Sequence, residues 1–220
     1  MQVTYTVGDV SPDNLWQLVQ DYCETSETNF VTDIPKFVQA AEARIYNTVD
    51  LPVLRNNVTG TASVGVPYLS APTGWLATYS LAVIDGSGNY NYLLNKDVNF
   101  IRESFPAPTT QGMPTHYAVF DSNTFLLGPT PDSGYTFELH YKAYPVSIVT
   151  AVNTWLGDNF GEVLLYGTIR EAYSYQKGEQ DTAAKYDALY MESLSNLKLL
   201  GDGADHRDAY RSGQLRVPQQ

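Results

Sequence analysis

The chain has 220 residues, of which 43% are hydrophobic and 17% charged, and its formal net charge at pH 7 is −11. This length allows one elaborated domain or two intergrown lobes, and the composition excludes wholesale disorder. The acidic balance argues against a protein that clamps nucleic acid through phosphate contacts, because such binding depends on clustered Lys and Arg, but it leaves open a lumen through which DNA slides.

Two amphipathic helical patterns open the chain. Ser11 followed by Pro12 is a typical helix start, and apolar residues then recur at helical spacing as far as Cys23. Asp33 followed by Pro35 predicts the start of a second helix, whose apolar stripe ends before the next proline. We therefore expect a helical hairpin.

From about residue 52 the pattern changes to strands and turns. Gly, Pro, Asn and Asp punctuate short segments rich in Val, Thr, Tyr and Phe, which is typical of an antiparallel sheet. Residues 97–104 favour a short helix, because their apolar positions do not alternate. The predicted strands cover residues 53–62, 66–69, 79–84, 90–94, 116–120, 124–128 and 135–144.

Helical periodicity returns after residue 157. Asp158 is a candidate N-cap of a third helix that runs to about residue 177, and Gly178 suits the position after its C-terminus. The spacing predicts a fourth helix from about Asp181 to Leu200, ended by Gly201.

These patterns indicate an α+β fold. Neither helical hairpin could bury its apolar stripe alone, so the economical arrangement is one four-helix bundle with the β region inserted between its second and third helices. The bundle is assigned to residues 1–51 and 157–201, the inserted antiparallel β-rich domain to 52–156, and an extended C-terminal arm to 202–220.

The last residues have too few apolar side chains to fold by themselves. Two interpretations are open: a frayed terminus, which is common at chain ends, or an arm that becomes ordered on a partner. As an arm, it would be anchored by Tyr210 and Leu215, while Arg207, Arg211 and Arg216 would meet carboxylates or backbone carbonyls.

The search for catalytic and metal-binding residues returns little. His116, His140 and His206 are far apart and lack the spacing of a helical ligand pair, so no metal site is predicted; the His140 side chain is expected at a surface or interface. Cys23 is the single cysteine, and we expect a buried apolar role and a reducing compartment. No catalytic residue or cofactor is proposed, so the chain is not expected to be an enzyme.

Neither a secretory signal nor a membrane span is predicted. The first residues lack a charged region followed by an apolar one, and no run approaches the ~20 apolar residues that a span requires. We therefore expect a soluble, unexported product.

Four stretches of the chain resemble head-to-tail adaptor (connector) proteins of tailed bacteriophages. The resemblance runs from about residue 15 to residue 216 and contains no chemical motif. The four stretches are residues 37–46 (FVQAAEARIY) leading into 51–55 (LPVLR), residues 93–103 (beginning LLNKD), residues 126–131 (LLGPTP) and the ending from 201 to 213.

Such adaptors pair a helical bundle with a β-rich insertion and assemble as a twelve-subunit ring beneath the portal. The resemblance implies a virion structural protein at the head–tail junction, made in the host cytoplasm, which binds the portal and a tail nozzle or other tail proteins. Genome DNA would pass through the lumen during ejection without specific binding, past carboxylates that repel its phosphates. In related adaptors the C-terminal arm reaches towards the portal, which favours the arm interpretation here.

The 17 tyrosines leave an alternative. A tyrosine-rich β lobe could be a tail-associated receptor- or carbohydrate-binding platform, with Trp75, Tyr79, Tyr90 and Tyr92 as stacking residues. In an adaptor, the same four residues would instead form an interface of the β lobe with neighbouring subunits. A hydrolase is a third possibility, and it would need a pocket of converging carboxylates.

Overall fold

The computed structural model describes residues 1–107, 109–176 and 180–204, with side chains as far as Gly201. The chain forms two compact units. The helical unit consists of Met1–Val53 together with the chain from Pro145 onwards, and the β unit is Leu54–Tyr144.

Within the described residues the fold is mixed α+β, with six α-helices and eight strands. In chain order these elements are α1 (Leu15–Tyr22), α2 (Thr28–Thr48), β1 (Arg55–Thr61), β2 (Tyr68–Ser70), β3 (Ala77–Ile84), β4 (Tyr90–Tyr92), β5 (Leu94–Asn95), α3 (Val98–Ser104), β6 (His116–Asp121), β7 (Thr124–Gly128), β8 (Thr136–Lys142), α4 (Ile148–Ala151), α5 (Trp155–Gln176) and α6 (Gln180–Ala204).

Helix α2 begins earlier than its sequence pattern predicts. Asp33 and Pro35 do not start the helix, because Pro35 lies inside it and the N-cap is Glu27. The additional turns carry Phe30, which is 2% exposed and lies against the ring of Tyr175 on α5 at 6.4 Å between centroids. Burial of an aromatic ring contributes on the order of 2–3 kcal/mol, which offsets the cost of an interior proline.

The core of the helical unit lies around α5, which contacts α1, α2 and α6. Gly167 lets these helices approach closely, since a Cβ atom at this position would lie 3.1 Å from the Tyr190 ring and 3.3 Å from the Ala41 side chain. The arrangement of these helices as one four-helix bundle, which the sequence pattern led us to expect, stays a prediction.

The N-terminal segment lies against the beginning of α5. The backbone N–H of Val3 donates to the carbonyl of Gly157 at 2.9 Å, and Gly161 N–H donates to the carbonyl of Met1 at 3.2 Å. A Cβ atom at either glycine would lie within 2.7 Å of a backbone oxygen of this segment. The two glycines are therefore needed where the N-terminal segment crosses α5.

Helix α6 continues past the residue predicted to end it. Gly201 is buried inside the helix, and a Cβ atom there would lie 2.8 Å from the Asp50 carbonyl oxygen. The prediction that Gly201 terminates α6 is wrong, because this glycine allows close packing against the end of α2.

The β unit contains two four-stranded sheets, in the orders β1-β8-β3-β4 and β2-β7-β6-β5. Most pairs are antiparallel, as predicted, but β5 pairs with β6 in parallel, because α3 forms the crossover between them. The core of the unit is a cluster of buried side chains from both sheets, consisting mainly of Leu81, Val83, Leu93, Tyr117, Phe125, Leu127, Phe137 and Leu139.

Helix α3 confirms the short helix expected at residues 97–104. The Asp97 side chain caps it by accepting the Phe100 N–H at 2.8 Å. Ile101 and the partly buried Phe105 pack on the outer face of the second sheet, where a Cβ atom at Gly128 would lie within 2.9 Å of both side chains.

The segment before α5 belongs to the helical unit, whereas the sequence pattern assigned residues 52–156 to the insert. Ile148 on α4 is fully buried, and its backbone N–H is bound by the Glu42 carboxylate on α2. Such contacts keep this segment with the helices.

Candidate interaction surfaces

The outward face of the first sheet, which is turned away from the core of the β unit, carries exposed tyrosines. On β4, Tyr92 pairs with Ala82 of β3, and Tyr90 pairs with Ile84. Ala82 and Ile84 alternate along β3 with the core residues Leu81 and Val83, so these two pairs lie on the face of the sheet turned away from the core. Tyr79 lies at an irregularity in the same strand. The side chains of Tyr79, Tyr90 and Tyr92 are 46%, 50% and 65% exposed, so three of the four residues predicted for the β-lobe interface are accessible.

Trp75 does not share this surface. Its ring packs edge-on against Phe125 at 5.2 Å between centroids and belongs to the margin of the core between the sheets. Its indole N–H donates to the Thr78 hydroxyl at 3.1 Å. The side chain therefore stabilises the β unit, and the sequence pattern could not separate it from the exposed tyrosines.

A shallow cavity beside Tyr79 contains an oriented histidine. Nδ1 of His140 lies 2.9 Å from the Ser80 hydroxyl, and its Nε2 lies 3.9 Å from the Glu138 carboxylate. The guanidinium of Arg55 lies over the Tyr79 ring at 5.4 Å. His140 is partly exposed, as the strand alternation predicted, and the cavity combines an aromatic ring with several hydrogen-bonding groups.

A second surface surrounds α3 on the outside of the second sheet. Nζ of Lys96 lies 5.2 Å from the centre of the Phe100 ring, and the Arg102 guanidinium donates to the Tyr68 hydroxyl at 2.8 Å. The rings of Tyr68 and Phe120 are in edge contact at 5.5 Å. We call this surface the α3 patch, and it consists of the exposed residues Tyr68, Leu94, Lys96, Phe100, Arg102 and Phe120.

The α3 patch was not predicted from the sequence. One signal was present, because Lys96 and Phe100 are four residues apart at the start of a helical segment, a spacing at which side chains meet. The contacts with Tyr68 and Phe120 depend on the pairing of distant strands, which residue spacing does not reveal.

The negative charge is concentrated in the helical unit. Residues 1–53 and 145–204 contain sixteen acidic and six basic residues, and no basic residue precedes Lys36. Within the described residues, three of these cations form ion pairs: Lys36 with Asp33, Arg44 with Glu171 and Arg170 with Asp187. Many carboxylates of this unit therefore have no cationic partner among the residues that the structure describes.

Two buried ionisable groups of the helical unit, Cys23 and Glu42, have raised pKa values. Cys23 is 8% exposed, and burial raises the pKa of its thiol to about 12. Burial also raises the pKa of the Glu42 carboxyl, while its hydrogen bonds with Ile148 and Ser147 act in the opposite direction. A thiol with such a pKa stays protonated at neutral pH, which suits the structural role predicted for Cys23.

Among the described residues, no three His, Cys, Asp or Glu side chains converge in a way that could hold a metal ion. In the same part of the chain, no helix has the length and apolar composition to cross a membrane. Gly178, His206 and the predicted arm residues Arg207, Tyr210, Arg211, Leu215 and Arg216 lie outside the described residues.

A model of the SU10 adaptor protein family matches residues 12–218, which covers both units and extends into the C-terminal residues. The chain belongs to the SU10 adaptor protein family. No curated protein matches this adaptor. Membership identifies it as a structural adaptor protein of a bacteriophage and indicates a place in the virion. This agrees with the resemblance to phage adaptor proteins seen in the sequence.

Proposed function

We propose that this adaptor forms a ring between the portal and the tail of its phage, connects head to tail, and has a structural and not a catalytic role. The observation that carries the proposal is the family match over residues 12–218. We further propose twelve copies per ring, with a tail nozzle or another tail protein on the side opposite the portal. A ring requires heterologous contacts, in which one face of each subunit meets a different face of its neighbour.

The portal contact is assigned to the C-terminal arm. Helix α6 ends at Ala204, and the sequence continues for another 16 residues that include Arg207, Arg211 and Arg216. Arginine suits a contact with carboxylates or backbone carbonyls, because its planar group donates several hydrogen bonds in a fixed geometry. Tyr210 and Leu215 would supply the apolar anchors.

The charge of the helical unit fits a conduit for DNA. Carboxylates that line a lumen repel phosphates and keep the genome from adhering while it passes. This part of the proposal requires acidic residues of the helical unit to face inward, and a ring map with a basic lumen would contradict it.

The test compares the full chain with a chain that ends at Ala204, each mixed with the cognate portal and imaged by negative-stain microscopy. We expect rings on the portal with the full chain and none with the truncated one. The triple variant Arg207→Ala/Arg211→Ala/Arg216→Ala keeps the length and tests the charge of the arm alone. Absence of any association between the full chain and the portal would overturn the proposal.

The exposed tyrosines favour a second candidate, a carbohydrate- or receptor-binding module. Tyr79, Tyr90 and Tyr92 share one open face with the hydrogen-bonding groups around His140, and sugar recognition uses such combinations. Binding of host surface glycans by the protein alone, abolished by Tyr79→Ser and without any affinity for the portal, would favour this candidate.

A further inference from the structure

The two cations of the α3 patch have aromatic partners. Lys96 lies over Phe100, and Arg102 lies beside Tyr68, to which it also donates a hydrogen bond. Among the described residues, neither cation forms an ion pair. Exposed aromatic rings with an arginine are the composition that dominates binding energy at protein interfaces.

A group of exposed carboxylates lies on the helical unit. The end of α1 and the loop that leads to α2, residues 21–27, are together called the α1–α2 turn, and they contain the three exposed acidic residues Asp21, Glu24 and Glu27. Asp21 accepts a hydrogen bond from Gln17, and in the described part of the chain none of the three forms an ion pair. Tyr22 in the same turn is 37% exposed, so the turn also offers an aromatic surface.

We propose that the α3 patch of one copy docks on the α1–α2 turn of a second copy, with Lys96 and Arg102 facing the carboxylates of Asp21, Glu24 and Glu27. The inference rests on the proposed ring and names the surfaces that join its subunits. Each copy carries both surfaces, one on each unit, so the contact is directional and repeats from copy to copy. Charge complementarity selects this occupant, because neither group forms an ion pair within the part of the chain that the structure describes.

The first experiment measures how the adaptor occupies the portal as its concentration rises. In the variant Lys96→Glu/Arg102→Glu, the arm still binds the portal but the contact between neighbours is lost. We expect the concentration for half-occupancy to rise about tenfold or more and cooperativity to disappear, as for loss of close charge pairs at an interface.

The matched control is Lys185→Glu/Lys198→Glu, which changes the net charge by the same amount at two exposed positions of α6. If general repulsion between acidic subunits were the cause, both double variants would weaken occupancy equally. The proposal expects the control to behave like the unmodified protein, and an equal loss in both would overturn it.

The second experiment reverses the charges of the turn. Glu24→Lys/Glu27→Lys alone should weaken occupancy, and combining it with Lys96→Glu/Arg102→Glu in one chain should restore cooperative occupancy, since every neighbour contact then regains opposite charges. Circular dichroism and thermal unfolding check that each variant is folded. Failure of the combined variant to recover, with all variants folded, would overturn the assigned pairing.

The outcomes separate this inference from the proposed function. If the unmodified adaptor does not bind the portal, the proposed ring fails. If it binds and the α3 patch variant forms the same ring with the same cooperativity, only the inference fails. A patch variant that forms normal rings but no longer recruits tail proteins would show that the patch serves the tail, which also overturns the inference.

Discussion

The carboxylate of Glu42 accepts a hydrogen bond from the backbone N–H of Ile148, with 2.9 Å between Oε1 and the nitrogen. Both residues are buried, Glu42 at 4% exposure and Ile148 at 0%. The contact connects α2 to the short helix α4, which follows the β unit in the chain, and so ties together segments 106 residues apart.

Replacing the Glu42 carboxylate should destabilise the fold, and the loss should depend on whether the new side chain can still accept the hydrogen bond from Ile148. Glu42→Ala leaves the buried N–H of Ile148 without its partner, and we expect a loss of about 1–3 kcal/mol in the free energy of unfolding. Glu42→Gln keeps an oxygen at the same reach and should lose less. Urea denaturation of both variants measures the difference, and equal losses would contradict the role of the hydrogen bond.

Glu42 should also make stability depend on pH. Burial raises the pKa of this carboxyl in the folded state, so the folded protein binds the proton more tightly than the unfolded chain. The stabilising contribution is therefore full below the ordinary pKa of glutamate and is lost as the pH rises through the raised pKa. Relative to Glu42→Gln, the unmodified protein should lose stability as the pH rises; Glu103→Gln, at an exposed position, is the control. A difference that does not change with pH would contradict this assignment.

The elements that the sequence predicted well have local signals. Strand β7 lies at the predicted residues, and α3 lies within the segment 97–104 that was predicted to be a short helix. The errors occur where distant contacts override a local rule. Burial of Phe30 extends α2 through Pro35, and Gly201 serves close packing inside α6.

The candidate surfaces were only partly predictable for the same reason. The tyrosine-rich composition of the β lobe indicated tyrosines that turn out to be exposed, but it could not show that Trp75 packs against Phe125, because that contact depends on the tertiary fold. The α3 patch brings together Tyr68, Lys96 and Phe120 from three parts of the chain. Such a surface becomes visible only when the strand order is known.

Gly201→Ala tests whether packing outweighs helix propensity. In an exposed helix this change stabilises by about 1 kcal/mol, since glycine is a poor helix former. Here the new methyl group would meet the Asp50 carbonyl oxygen and the Val49 side chain at 2.8 and 3.3 Å. We therefore expect a loss of about 1–3 kcal/mol, seen as a lower midpoint of thermal unfolding. Gly60→Ala, where a Cβ atom meets nothing within 4 Å, is the control and should unfold as the unmodified protein does.

Cys23 should react with thiol reagents only after unfolding. The thiolate is the reactive species, and burial holds the pKa of this thiol at about 12 while leaving 8% of the residue exposed. We expect slow reaction with a disulfide reagent in buffer and rapid reaction in urea. The double variant Cys23→Ala/Ser26→Cys places a thiol at an exposed position just after Cys23 and should react rapidly without urea. Rapid labelling of native Cys23 would contradict its burial.

Trp75 and Tyr92, which the sequence pattern grouped together, should respond to substitution in opposite ways. Trp75→Ala removes a ring that packs on Phe125, and we expect a loss of about 2 kcal/mol in unfolding free energy, below the ~3–5 kcal/mol of a fully buried aromatic residue. Tyr92 is 65% exposed, so Tyr92→Ala should leave the unfolding midpoint unchanged. If the outward face of the first sheet binds a partner, Tyr92→Ala should weaken the binding of that partner. The measurement is ring assembly on the portal if the protein is an adaptor, and glycan binding if it is a carbohydrate-binding module. Unchanged stability in Trp75→Ala would place its ring outside the core, and a destabilised Tyr92→Ala would mean that this tyrosine is part of the fold.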